Sequence, residues 1–118
     1  MKLSPTGLII AVAPGVGMLA VFYSLAFHMH QTLGGWPKDI GELGFPAHLL
    51  LHANINMDCF MVLFLFTIFV LPVAFTICFL VPRLRPLLAY LCVCFFSCII
   101  AVGLMQLAPA PFLYWWWD

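Results

Sequence analysis

A chain of 118 residues with four Lys and Arg, four Asp and Glu and 66% hydrophobic residues carries too little charge to coat a water-soluble globule, in which about a quarter of the residues are usually charged. A formal net charge of zero excludes the basic stripe of a nucleic-acid binder, and no run of Lys or Arg marks a heparin-type or polybasic patch. Lipid is therefore the expected solvent for most of the surface, and the expected fold class is an all-α integral membrane protein with a single transmembrane domain over residues 1–118.

The first predicted element is a span over residues 7–28. At the helical rise this is about 33 Å, enough to cross the hydrocarbon core. Lys2 ahead of it and Ser24-Leu25-Ala26 near its end also match the layout of a cleavable signal peptide, but the length and the Pro14-Gly15 interruption favour an uncleaved first span. Pro14 predicts a kink. Ala13 with Gly17, and Ala20 with Ser24, are small residues four apart, a spacing that admits a close helix partner.

The next stretch, residues 30–58, is the one hydrophilic segment of any length. Gly34-Gly35-Trp36-Pro37 predicts a turn, with Trp36 suited to the headgroup layer. Pro46 suits a first helical position, and a short interfacial helix is expected near residues 46–55. It either lies along the membrane surface or runs straight into the second span, with Asn54-Ile55-Asn56 as the candidate break.

A second span is expected over residues 59–81, with Pro72 inside it, and a third over residues 87–108. Neither alternates polar and apolar residues as barrel strands do. Between them stands Pro82-Arg83-Leu84-Arg85-Pro86, which holds both arginines of the chain. The positive-inside rule puts Arg83 and Arg85 in the cytoplasm. Lys2 agrees, because two crossings separate it from that turn. The segment between the first two spans then faces outward with one cation, Lys38, against three carboxylates, Asp39, Glu42 and Asp58. The amino terminus is expected inside and the carboxyl terminus outside, in a membrane such as the bacterial inner membrane. After Ala108-Pro109-Ala110-Pro111 ends the third span, Trp115, Trp116 and Trp117 form a dense aromatic anchor, either to the interface or to a partner subunit.

Few residues offer chemistry. Cys59, Cys78, Cys92, Cys94 and Cys98 are an odd set, mostly inside apolar blocks, and are expected to be buried small hydrophobes. All four histidines, His28, His30, His48 and His52, fall on the expected outer side. His48 and His52 share a helical face, which Asn56 and Cys59 continue. With Met29, Met57 and Met61 at a similar level, they form a ligand set suited to copper or haem iron, or to the magnesium of a chlorophyll-type pigment. Leu49-Leu50-Leu51 between the two histidines rules out an H-E-x-x-H motif, and no nucleotide-binding or nucleophile motif occurs. Asp58 is expected at the mouth of the second span and Gln106 near the end of the third. No ionisable group is then expected near a span centre, which argues against a pump or proton relay.

These features suggest a non-catalytic accessory subunit that packs against lipid and other transmembrane subunits of a larger complex, of which respiratory and photosynthetic assemblies are natural hosts. The alternative is a subunit that uses the outward histidines to hold haem, copper or a chlorophyll-type pigment.

Overall fold

The structure is a computed structural model that describes residues 2–38 and 44–118. Asp39 and Glu42 lie outside the described residues. Five α-helices follow one another: α1 (Pro5–Leu33), α2 (Ala47–Leu65), α3 (Leu71–Leu80), α4 (Leu88–Met105) and α5 (Ala110–Trp117). Together they make three helical rods long and apolar enough to cross a membrane.

Local chemistry explains the ends of α1. The Ser4 hydroxyl caps the helix by accepting from the Gly7 amide at 3.0 Å, and Pro5 needs no amide partner in the first turn. Gly34 stops the helix in the left-handed conformation, at φ 68°, where a side chain would be strained. The helix therefore runs beyond residue 28. His28 and His30 lie within its last turns and do not terminate it.

Of the two alternatives for the helix near residues 46–55, the structure has the continuous one: it runs straight into the second span, without a separate interfacial element and without a break at Asn54-Ile55-Asn56. Helical structure is continuous from Ala47 to Leu80. No Gly or Pro interrupts the chain between Ala47 and Leu71, and two Asn residues cost only some tenths of a kcal/mol each in helix propensity. The irregularity falls later, at a π-helical turn over Phe66–Val70 that joins α2 to α3. Its cause is Pro72, whose ring crowds the carbonyl four residues back and which offers no amide hydrogen. The helix widens just before the proline, and the Leu71 amide bonds five residues back to the Phe66 carbonyl. Thr67 and Thr76 fold their hydroxyls onto the Leu63 and Pro72 carbonyls, both at 2.8 Å.

A 3₁₀ turn over Pro82–Leu87 reverses the chain, so α4 runs parallel to α1. Three contacts tie the pair along its length. The Ser4 amide donates to the Tyr90 hydroxyl at 2.7 Å, Ser97 Oγ donates to the Val12 carbonyl at 3.4 Å, and the Tyr23 hydroxyl donates to the Leu104 carbonyl. At the middle contact a Cβ on Gly15 would stand 2.9 Å from the Ser97 carbonyl oxygen, so the close crossing depends on that glycine. Gly15 is buried at this contact, and Ala11 is buried one turn before it. Ala13 and Gly17 stay exposed.

The molecule measures 55 × 25 × 23 Å. Its length exceeds the thickness of a hydrocarbon core, about 30 Å. Lys2, Arg83 and Arg85 gather at one end, and His28, His48 and His52 at the other. The core thickens toward the histidine end, where α5 folds back over the rods and packs Phe112 and Trp116 against Phe22 at ring-centroid distances of 5.1 and 5.4 Å.

Candidate functional site

Among the described residues, polar side chains with potential chemistry gather at the histidine end. The α1–α2 contact sets His28 beside both His48 and His52, with ring centroids 5.1 and 5.0 Å apart. The i, i+4 spacing puts His48 and His52 on one face, and the third ring arrives from the neighbouring helix. His28 Nδ1 and His52 Nδ1 are 2.8 Å apart, and His52 Nε2 lies 3.1 Å from Ser24 Oγ.

Hydrogen bonding assigns the tautomers. Ser24 donates its hydroxyl hydrogen to the Val21 carbonyl at 2.8 Å, so its oxygen is free to accept from His52 Nε2–H. A neutral His52 with hydrogen on Nε2 presents a lone pair at Nδ1. His28 must therefore donate from its own Nδ1, which leaves His28 Nε2 with an uncommitted lone pair. His48 is exposed and contributes a stacked ring, inclined 27° to His28. Both nitrogens of His52 are thus occupied, and the nitrogens open to a ligand are His28 Nε2 and those of His48.

His30 is not part of this group. It is exposed and lies against Trp36 at 4.8 Å. Among the described residues, no three His, Cys, Asp or Glu side chains are arranged to hold a metal ion. A haem, copper or pigment at this end would be held by His48, or by His28 through Nε2, without His30 and His52. The methionines do not join: Met29 is fully buried in the core, and Met57 and Met61 are exposed.

Beneath the histidines, α5 inserts its aromatic residues. Asn56 is wholly buried, and its Oδ1 accepts from Trp116 Nε1 at 2.7 Å. Its Nδ2 has no partner. Phe60 meets Trp116 edge to face at 4.7 Å. Trp115 and Trp116 are therefore core residues, drawn inward by this amide and these rings. Trp117 and Tyr114 are the aromatic side chains of α5 that stay exposed. Trp36 is half-buried against Phe112 at 5.8 Å. At the opposite end Arg83 and Arg85 are exposed, and Arg85 Nε donates back to the Phe79 carbonyl at 3.3 Å.

Asp58 lies within α2, exposed at the start of the apolar run that begins at Cys59. It lies six residues beyond His52, about 9 Å further along the axis, and lines an open groove with Gly17 and Val21 of α1. The cysteines divide: Cys78, Cys94 and Cys98 are buried, Cys92 is half-buried, and exposed Cys59 shares the groove with Asp58.

Compared with protein-family models, curated proteins and solved structures, the chain matches none.

Proposed function

We propose that the protein is a three-span integral membrane subunit with a non-catalytic, packing role in a larger multi-subunit membrane complex. The observation that carries this is how little the chain covers itself. Only 11% of the most apolar window of the second rod is buried within the chain, and Ile68, Phe69, Val73 and Phe79 along it are exposed. Lipid can cover such a surface, and so can neighbouring spans. The groove at Ala13 and Gly17 favours neighbours, because exposed small residues four apart admit a close helix partner. On this reading the arginine turn and the amino terminus face the cytoplasm, the carboxyl terminus faces outward, and a bacterial inner membrane fits. Respiratory and photosynthetic complexes remain the natural hosts. Extraction from native membranes in mild detergent, followed by mass spectrometry, tests the role. Co-purifying transmembrane chains in fixed proportion are expected, and recovery of this chain by itself contradicts the proposal.

The histidine triad favours a second reading, a subunit that also holds a haem, copper or chlorophyll-type pigment. His48 and His28 Nε2 supply the open nitrogens, and His52 orients His28. The test is the absorbance and metal content of the purified complex. A band or metal lost in His28→Ala/His48→Ala and weakened in His52→Ala supports this role, whereas unchanged spectra and metal content in the double variant contradict it.

A further inference from the structure

We infer that the turn between α3 and α4, with the groove beside it, binds one anionic phospholipid: the lipid phosphate lies on Arg83 and Arg85 and an acyl chain lies along the groove. The inference rests on the three spans of the proposed reading and not on its partner subunits.

Charge is the first observation. Arg83 and Arg85 are exposed, and among the described residues neither is paired with a carboxylate. No acidic residue occurs ahead of Asp39 or between Cys59 and Trp117, so neither helix that flanks the turn offers a counter-charge. Lys2 adds to the same end. The bond from the Ser4 amide to the Tyr90 hydroxyl, at 2.7 Å, sets the start of α1 beside the start of α4, and Lys2 stands two residues ahead of Ser4. The turn is only six residues long and joins two spans, so it holds its arginines near the headgroup layer. A guanidinium there presents a planar fork that matches a phosphate.

The second observation does not depend on charge. A groove of about 450 Å³ runs between α3 and α4, walled by Pro72, Phe75 and Thr76 on one side and by Leu91, Cys92 and Phe95 on the other. The Thr76 hydroxyl is already bonded to the Pro72 carbonyl at 2.8 Å, so the wall suits hydrocarbon and not a polar ligand.

Arg85 links the two features. Its Nε donates to the Phe79 carbonyl at 3.3 Å, which fixes the guanidinium at the end of α3 and leaves its Nη groups uncommitted. Phe79 lies four residues beyond Phe75 of the groove wall, one helical turn along the same face. A cation anchored one turn beyond an apolar slot matches a ligand that has a phosphate at one end and hydrocarbon at the other. An apolar helix from a partner would cover the groove and leave the arginines unmet. A free phosphate would do the reverse.

The test is native mass spectrometry of the chain in mixed micelles that hold phosphatidylglycerol and phosphatidylcholine in equal amounts. One phosphatidylglycerol is expected to stay with each chain after release from the micelle, in preference to phosphatidylcholine. Arg83→Gln and Arg85→Gln should each lower that preference about five-fold and together about thirty-fold, the scale of basic residues at an anionic lipid surface. Thr76→Phe, which fills the groove from an exposed position, should lower retention of both lipids and leave the preference between them unchanged. Inorganic phosphate at the same concentration should displace neither. Helical circular dichroism shows that each variant is folded. Equal retention of the two lipids, or a preference that survives the double Gln variant, overturns the site. Displacement by inorganic phosphate reduces it to an anion contact and overturns the lipid, and full retention in Thr76→Phe overturns the groove as its seat. Each of these results leaves the three spans standing, whereas a chain that stays dispersed in water without detergent removes the spans themselves.

Discussion

Asn56 is the residue on which the histidine end is most sharply specified. Its amide oxygen is satisfied by Trp116 and its amide nitrogen is buried without a partner. Trp116→Phe leaves the whole amide unpaired and should cost about 1–3 kcal/mol. Asn56→Leu leaves the indole N–H unpaired and should cost a similar amount. The double variant removes both polar groups together, so it should be far milder than the sum, which a double-mutant cycle on unfolding in mixed micelles will show. The His28–His52 bond makes a second residue-level prediction. It needs His52 neutral, since a proton on His52 Nδ1 would set N–H against N–H. Its stabilisation is therefore present at higher pH and lost as pH falls and His52 gains that proton. The thermal midpoint should drop on the acid side, and His52→Gln should flatten much of that dependence. Ser24 and His28 face His52, and His48 stacks on His28. The i, i+4 spacing of His48 and His52 made their shared face legible in the sequence. His28 could not be added from spacing, because it arrives from another helix.

At the scale of elements, the three rods were legible because long apolar runs can only be covered by lipid or protein. The joints were not. Asn54-Ile55-Asn56 looks like a break by local propensity, yet Asn56 spends its side chain on Trp116 and leaves the backbone helical. The Pro72 disturbance is a π turn in the preceding residues and not a simple kink at the proline. The tail helix α5 was hidden behind Pro109 and Pro111, which signal an end as readily as a new first turn. Small-residue spacing pointed to Ala13 and Gly17, while the chain's own close crossing is at Gly15. The two glycines make a clean contrast. Gly15→Leu should force α1 from α4 and destabilise by about 1–3 kcal/mol, in the range of core overpacking. Gly17→Leu should leave the isolated chain's unfolding unchanged. Equal losses at both positions would mean that the crossing point is misplaced.

For the whole molecule, the segregation of groups matters more than any one of them. Two arginines and Lys2 share one end, and the histidine triad, Trp116 and α5 share the other. The sequence made this division legible through the count of crossings, and the structure adds that Asp58 lines a groove with Gly17 and Val21 of α1. Cysteine-accessibility labelling in intact cells should modify Leu84→Cys from the cytoplasmic side only and Asp118→Cys from the outside only. Reversed labelling would invert the topology and leave the two-ended design intact. On the accessory-subunit reading this chain is incomplete alone, and its groove and its second rod are surfaces for other spans. The most direct test is native mass spectrometry of the particle released from its own membrane in mild detergent. The expected result is one defined mass that contains this chain and at least one different transmembrane chain. A particle with the mass of a single chain contradicts the account.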